Sequence, residues 1–556
     1  VKAANGLVRI LKAEGVPWVS TFPSNVINNA CGEEGLPLIM ARDERYAVAV
    51  ADGYSRCSDG KQTGVCTVQG GLNAAGVQYA YGAVAQAYED STPILVLTEG
   101  VDLPIAGQNM YDSGKAYDSV TKWNGYINDG SRVPEFMRRA FTYLRTGRPG
   151  PVFLQLPRSV SDYDESNYPY APVKGWKHAG DPRDVQVAVR GILSAKKPLI
   201  YAGQGVFYAD ACSELLEFAE LVQAPVLTTL HGKSAFPEDH PLSIGVRGAP
   251  ADHFLIGSDL IFAIGNSLSP GRPHGGFRHS IPNPRSKIII HSSVDELDIN
   301  KCYTVNHAII GDAKLVLRQM IEEAKRQLSG RRREGAAVQA EVKEVRDKLM
   351  KEYMPALTSN ETPINPYRVI WDLMHTLDRK NSVLTHESGN TRDQSCTVYE
   401  SLVPHGYIGW SGTVSTLGFG LGAAAGAKLA FPERQVVCLT GDAGVGYQMG
   451  NYEMLVRHKI AITIVHINNS AFAGYGAGFW GKGHSPYTWA VTPSTTVNMA
   501  RAAESLGMHA ERVEMPDEVA PATKRALKAN AAGKPVYIEV IASQHPVYPA
   551  FMGATR

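Results

Sequence analysis

The sequence predicts an α/β protein built from three doubly wound parallel sheets. Three observations carry that expectation. Short runs rich in Val, Ile and Leu alternate with segments of helical periodicity along the whole chain, the pattern of parallel sheets covered by helices on both faces. The 556 residues suffice for about three domains at the usual ~100–200 residues each. Residues 169–182, rich in Pro, Gly and Asp, and the charged stretch 324–350 interrupt the alternation, as linkers do.

The first domain, residues 1–165, carries strand-like WVSTF, PLIMA, GVCTVQ, PILVLTE and GPVFLQLP. Helical patterns NGLVRILKAEG and ERYAVAVADGYSR, and a Gly/Ala-rich run to about Tyr88, lie between them. The second, 185–330, repeats the alternation with KPLIYAGQG, APVLTTL, DLIFAIG and SKIIIHSS as strands. Both charge signs mix in 324–350, so it reads as a solvated helix and linker rather than a binding tail. The third, 360–556, opens with NPYRVIWDLMHTL as a helix and SVLTHES as a strand.

Composition narrows the functional classes. Hydrophobic residues make up 44% and charged residues 20%, values of a soluble globular chain with ample core. A formal net charge of +1 gives no electrostatic case for nucleic acid or membrane partners. The seven cysteines are scattered and lack CxxC spacing, which fits reduced thiols in a cytoplasmic setting. The N-terminal stretch carries charges through an amphipathic pattern without an apolar h-region. LGFGLGAAAGAKLAF is too short and glycine-rich for a membrane span.

The chemistry concentrates in 441–475. The apolar run QVVCLT stops at Gly441-Asp442, a helical pattern spans 447–458, and the run AITIVHI stops at Asn468-Asn469. Strand, helix, strand is a right-handed crossover, so Asp442 and Asn469 should both emerge at carboxyl ends of strands, where open α/β sheets hold ligands. A carboxylate, an amide oxygen and nearby carbonyls are hard ligands. They suit Mg²⁺ shared with phosphates rather than zinc or copper. Gly441, Ala443 and Gly444 are small enough for backbone N–H groups to approach a diphosphate at a helix start. An ordinary Gly-Asp turn is the plainer alternative, and the Asn-Asn ending the next strand favours the site.

This stretch resembles the metal and diphosphate motif of the thiamine diphosphate enzymes, GD(G/A) followed by NN, with Asp442 and Asn469 at the family's spacing. The resemblance implies Mg²⁺ held by Asp442, Asn469 and the main-chain carbonyl of Ala471, with diphosphate oxygens and water completing the octahedron. Phe472 belongs to the same cofactor-binding segment. Ala443 replaces the commoner glycine and leaves the ligands intact.

ARDERYAVAVADGYSR resembles the family's strand–Glu–helix element, with Arg42, Glu44, Ala49, Ala51, Gly53, Tyr54 and Arg56 at matching places. Taken alone, Glu44 reads as a helix-start carboxylate favoured by the macrodipole. The resemblance makes it the acid that hydrogen-bonds N1′ of the aminopyrimidine, a role for which an apolar setting raises the pKa. HESGNTR (386–392) resembles the small-polar diphosphate loop, which makes Gly389, Asn390 and Thr391 candidates; a plain turn is the alternative. GWSGTVSTLGFGLGAAAGA (409–427) resembles the glycine-rich loop and helix before the metal motif. There the family places a bulky apolar wedge under the cofactor, here Leu417, and a carbonyl for the 4′-amino group, here Ser415.

The resemblance covers essentially the whole chain and points to the acetolactate synthase, pyruvate oxidase and benzoylformate decarboxylase branch. It implies pyrimidine-binding, central Rossmann-like and diphosphate-binding domains in that order, and a cofactor lying between two chains. A homodimer is then the minimum and a homotetramer common. Departures bear on the reaction. QGGLNAAGVQYAYG places Tyr79 near the family's usual Asn, and Phe22-Pro23-Ser24-Asn25 replaces a Gly-Pro-Gly turn. No histidine precedes His178, so proton transfer falls to the cofactor's imine, to Gln108 or Ser24, or to His405, His466 or His484. Phe479 and Trp480 are substrate-pocket candidates. FAD is a further candidate cofactor through Gly203-Gln204-Gly205, Gly265-Asn266 and the acidic 292–298.

The implied activity is decarboxylation of a small-molecule 2-oxo acid followed by carboligation. Cleavage of a 1,2-dicarbonyl or acyloin, as in relatives like cyclohexane-1,2-dione hydrolase, and cofactor binding without turnover are the alternatives.

Overall fold

The computed structural model of the chain describes residues 1–23, 25–102, 111–269, 279–410, 414–470 and 497–543. Among them stand three six-stranded sheets in which every strand pair is parallel. The first holds β1 (Val19–Thr21), β2 (Leu38–Met40), β3 (Gly64–Val68), β4 (Ile94–Thr98), β5 (Trp123–Tyr126) and β6 (Val152–Gln155), in the order β2-β1-β3-β4-β6-β5. The second holds β7 (Pro198–Ala202), β8 (Val226–Thr228), β9 (Ser243–Gly245), β10 (Leu260–Ile264), β11 (Ile288–Ser293) and β12 (His307–Ile310), in the order β12-β11-β10-β7-β8-β9. The third holds β13 (Ser382–His386), β14 (Tyr407–Ile408), β15 (Gln435–Gly441), β16 (Thr463–Asn468), β17 (His509–Val513) and β18 (Val536–Ile541), in the order β14-β13-β15-β16-β18-β17. Central strands such as β4, β10 and β16 are buried along their whole length, which is why they read as unbroken apolar runs.

Three expectations need correction. The helix over 447–458 is two helices, Asp442–Gln448 and Tyr452–Arg457, joined by a 3₁₀ turn at Met449–Asn451. The break occurs where buried Asn451 turns toward the first sheet's domain, its Oδ1 accepting from Arg42 N at 2.8 Å and its Nδ2 donating to Asp43 Oδ2 at 2.8 Å. The charged stretch 324–350 does carry a helix, Ala336–Leu357, but not a fully solvated one: it buries Val342, Leu349, Tyr353 and Leu357, a helical stripe that patterning by charge alone concealed. Edge strands β5, β9, β12, β14 and β17 were not apparent. They are short, and β5 (WNGY) contains the weak strand formers Asn and Gly.

The first and third sheets share one core. Tyr46, Ala47, Ala49 and Val50 of the helix Glu44–Arg56 pack with Ala423, Ala424 and Ala427 of the helix Phe419–Ala430, and onward with Val436, Tyr452 and Ile464. These helices cross at backbone contact. A Cβ on Gly53 would lie 2.5 Å from Ala423 Cα, and one on Gly422 or Gly426 would overlap Ala49 or Val50. Beneath the crossing, the buried Arg56 guanidinium pairs with Asp52 and with Asp90 (2.8 Å) and donates to Gly409 O at 3.3 Å. The second sheet joins through His231, whose Nε2 lies 2.8 Å from Asp90 Oδ1.

All seven cysteines are unpaired, and among the described residues no helix is long and apolar enough to cross a membrane. Forcing a side chain into the helix crossing should cost about 1–3 kcal/mol or more. Gly53→Val is therefore expected to lower the thermal unfolding midpoint by several degrees or to give insoluble protein. Gly32→Ala, on an exposed helical glycine with nothing within 4 Å of the new methyl, is expected to match or exceed the parent. Equal midpoints for Gly53→Val and the parent would contradict the packing.

Candidate active site

The candidate residues gather at the carboxyl ends of three adjacent strands, β13, β15 and β16, the side on which open α/β sheets hold ligands. Asp442 follows β15 and Asn469 follows β16, as the crossover requires. The two meet: Asn469 N donates to Asp442 Oδ2 at 3.3 Å. The consecutive asparagines divide their work. Buried Asn468 is anchored to the sheet, Nδ2 donating to Glu539 Oε1 at 2.8 Å and Oδ1 accepting from Ser470 N at 3.2 Å. Asn469 is left at the mouth, partly exposed. His466 lies behind, its Nε2 3.2 Å from Asp442 Oδ1.

Gly441 and Gly444 differ in what they permit. A Cβ on Gly444 would meet Thr440 Oγ1 and Glu387 Cγ and Oε2, whereas among the described residues one on Gly441 would find only Thr391 Cγ2 at 4.0 Å. Gly444 is thus small because Glu387 packs beneath it, and among the described residues the space above Gly441 is left open toward Thr391. Ala443 sits between them in the first turn of the Asp442–Gln448 helix. Residues 389–391 are a helix start rather than a plain turn. Gly389 caps the helix Asn390–Val398, and Thr391 Oγ1 donates to Glu387 O at 2.9 Å. N–H groups at such a start suit a phosphate.

The 414–418 segment is stitched to this turn. Ser388 Oγ and Ser415 Oγ are 2.7 Å apart, and Gly418 N donates to Glu387 Oε2 at 2.9 Å. Ser415 has φ +47°, a left-handed backbone rare outside glycine that costs on the order of 1 kcal/mol and is tolerated where a structure needs it. Leu417 is half-buried rather than a core residue. Glu387 was missed as a chemical group in the sequence. It is wholly buried, also accepts from Gln448 Nε2 at 2.6 Å, and burial pushes its carboxyl up to about 8 against backbone N–H groups that favour the charge. A glutamate directly after a buried strand was the available signal.

Glu44 begins its helix at the carboxyl end of β2, where Asp43 caps Tyr46 N at 2.7 Å. Its side chain is 6% exposed and packs against Gly76, near the start of the helix Ala75–Glu89. Burial raises its pKa. Tyr79 stands on the outer face of the Ala75–Glu89 helix, 52% exposed, with Arg45 lying 5.8 Å from its ring centroid and 4.6 Å from that of Tyr447. Ser24, Gln108, Ala471, Phe472, Phe479, Trp480 and His484 lie outside the described residues. His405 is buried between Phe207 and Phe431, with Nε2 2.6 Å from Asp59 Oδ1, and its surroundings are structural.

The donor set fits a magnesium–diphosphate group. Asp442 and Asn469 offer hard oxygens beside an open glycine face and a helix start. Among the described residues no three His, Cys, Asp or Glu side chains converge into a metal cage, and Mg²⁺ shared with phosphate oxygens needs none. The dinucleotide features in the second sheet fit less well. Gly203 and Gly205 are spaced for the backbone of Gly265, and Asp298 accepts from Arg148 at 2.9 Å and Lys301 at 2.6 Å.

Glu387 carries a pH prediction. Its folded pKa lies above the unfolded value, so the fold loses stability as pH rises from about 4.5 toward about 8. Glu387→Gln is expected to unfold with the parent near pH 5 and several degrees higher at pH 8 to 9, read by thermal melts across that range. A gap that widens toward acid would contradict the assignment.

Comparison with known proteins agrees with this geometry. Residues 1–118 match the thiamine pyrophosphate enzyme N-terminal TPP binding domain, 185–320 the central domain and 387–540 the C-terminal TPP binding domain. The chain is 30% identical to a probable acetolactate synthase large subunit of Methanocaldococcus jannaschii, over 97% of this chain and 92% of that protein. Its identity to the corresponding protein of Methanococcus aeolicus is 31%, over 95% and 90%. To the large subunit of acetolactate synthase isozyme 3 of Escherichia coli it is 26%, over 99% and 96%. Three matched domains in family order, with a relative at this identity along nearly the full length, establish that the chain belongs to the thiamine diphosphate-dependent enzymes, in the acetolactate synthase branch.

Proposed function

We propose that this protein is a Mg²⁺- and thiamine diphosphate-dependent carboligase that decarboxylates a pyruvate-like 2-oxo acid and joins the remaining fragment to a second carbonyl compound. The observation that carries the reading is the buried, pKa-raised Glu44 retained together with the Asp442–Asn469 pair in a chain similar over its full length to acetolactate synthase large subunits. Thiamine diphosphate, when bound, supplies a nucleophilic carbon and an electron sink for breaking a bond beside a carbonyl.

The chain's own residues do the rest. Asp442 and Asn469 hold Mg²⁺, with Ala471 O as the third protein ligand. Backbone N–H groups at Gly389–Thr391 and above Gly441 orient phosphate oxygens. Leu417 would pack beneath the cofactor, and Ser415 O would accept from its amino group. Glu44 would offer its carboxyl to the pyrimidine nitrogen, and burial raises its pKa in the direction that role needs. Gln108, Ser24, Phe479 and Trp480 are assigned to the substrate side.

The site is assigned to two chains. Tyr79, Tyr88 and Tyr447, with Leu72, Tyr111 and Val414, are large side chains left exposed among the described residues, and a face of this kind suits contact with a second copy. A second copy, at least in a dimer and by family habit in a tetramer, covers that face and closes the pocket. Tyr79 in the wall and the absence of any histidine before His178 favour a second reading, cleavage of a 1,2-dicarbonyl or acyloin. FAD at the glycine turns of the second sheet stays a separate proposal, which the reaction on a 2-oxo acid neither uses nor tests. Bound yellow colour in the purified protein would support it. Retained Glu44, Asp442 and Asn469 argue against a non-catalytic binder.

Product NMR after incubation with thiamine diphosphate, Mg²⁺ and pyruvate tests the reaction. Acetolactate or acetoin is expected, and unchanged pyruvate from cofactor-loaded protein favours the dicarbonyl reading. Glu44→Gln is expected to bind the cofactor and lose at least about 100-fold in kcat. Mixing inactive Glu44→Gln with inactive Asp442→Asn subunits should restore up to about a quarter of parental activity, since random dimers then contain intact shared sites. No recovery after verified subunit exchange would place each site within one chain.

A further inference from the structure

The buried polar groups that the proposed reaction leaves unused include a histidine on the central strand of the third sheet. β16 reads TIVHIN, and His466 interrupts an otherwise apolar inner strand. It pairs in register with Thr440 on β15 and Glu539 on β18, and it is 1% exposed. An imidazole so buried loses hydration at both nitrogens, a cost of a few kcal/mol unless each finds a partner. Both do. Nδ1 lies 2.6 Å from Tyr537 Oη on β18, and Nε2 lies 3.2 Å from Asp442 Oδ1.

The chemistry of the partners orders the protons. An ionised aspartate only accepts hydrogen bonds, so the proton facing Asp442 sits on Nε2. In the neutral ring Nδ1 then accepts, and the Tyr537 hydroxyl donates to it. Burial pushes the Tyr537 hydroxyl well above its usual range, which keeps it a phenol able to donate. Tyr537 is itself fixed, fully buried with its ring centroid 5.4 Å from that of Tyr452. The Asp442 carboxylate is therefore gripped on both oxygens, Oδ1 by His466 and Oδ2 by Asn469 N.

We propose that His466 is a positioning residue for the metal-binding carboxylate: a Tyr537–His466–Asp442 chain of hydrogen bonds across the sheet holds Asp442 in its ligating orientation and sets how tightly this protein takes Mg²⁺. The proposal rests on the reading of Asp442 as a Mg²⁺ ligand. A carboxylate oriented before the cation arrives surrenders less rotamer freedom on binding. Partners of this outer kind change metal affinity by about 10–100-fold when removed.

The test is calorimetric titration of Mg²⁺ into apoprotein saturated with thiamine diphosphate, with thermal melts of each apoprotein as the folding control. His466→Leu, of similar volume and without donors, is expected to weaken Mg²⁺ binding at least about tenfold, with turnover recovering as Mg²⁺ is raised. His466→Gln, whose amide still donates toward Asp442, is expected to stay within about threefold of the parent, and Tyr537→Phe to fall between them. A folded His466→Leu with parental affinity overturns the proposal. If that variant does not fold, Tyr537→Phe decides alone, parental affinity again overturning it. A parent protein that takes up no Mg²⁺, or Asp442→Asn that takes it up unchanged, would instead remove the reading on which the proposal stands.

Discussion

Arg56 is the point on which the three sheets depend. Its guanidinium is 4% exposed and cannot lose its proton, so every donor must find an acceptor inside the protein. Asp52 and Asp90 answer from the first sheet's helices and Gly409 O from the third-sheet side. Asp90 also accepts from Gln86 at 2.7 Å and from His231 in the second. Burial alone would raise the Asp90 carboxyl, but His231 and Arg56 outweigh it and hold it below the usual range. Removing the guanidinium would leave two carboxylates buried without their cation, a loss of about 3–5 kcal/mol for such pairs. Its value is the fixed geometry it imposes, since a well-packed apolar replacement can match the stability of a buried ion pair.

That geometry reaches the candidate site. Gln86, which donates to Asp90, accepts from Thr416 N at 3.1 Å, and Thr416 stands between Ser415 and Leu417. The segment assigned to the cofactor's bend is thus held from below by the junction and from the side by Glu387 and Ser388. The left-handed backbone at Ser415 persists because both supports over-determine it. The helix crossing at Gly53, Gly422 and Gly426 performs the same service on a larger scale, locking Glu44's helix to the third sheet with no side chain between the backbones. Among the described residues, Glu44 and the 414–418 segment are thereby fixed to packed elements.

Much of the fold was legible because buried parallel strands are continuous apolar runs. PILVLTE, DLIFAIG and AITIVHI each became a fully buried strand, and ERYAVAVADGYSR became a helix with those bounds. The elements that escaped are those whose sequence carries little pattern. Two-residue β14 is a strand only because β13 lies beside it, and the break after Gln448 follows from Asn451 preferring Asp43 and Arg42 N across the domain boundary. The spacing of Asp442 and Asn469 was readable for a topological reason. A strand–helix–strand crossover returns the chain to the same edge of the sheet, and the two residues meet there.

By itself, then, the sequence determined the class of fold, the placement of Asp442, Asn469 and Glu44 at strand ends, and the family, because periodicity and turn chemistry are local properties of the chain. Tertiary structure alone decided what each polar group faces. It made Glu387 a buried acid under Gly418, separated the roles of Asn468 and Asn469, set Tyr79 on an exposed face, and put His466 behind Asp442 and His405 among aromatic rings. Desolvation and hydrogen-bond partnership depend on groups brought together from distant positions, and no local pattern encodes them.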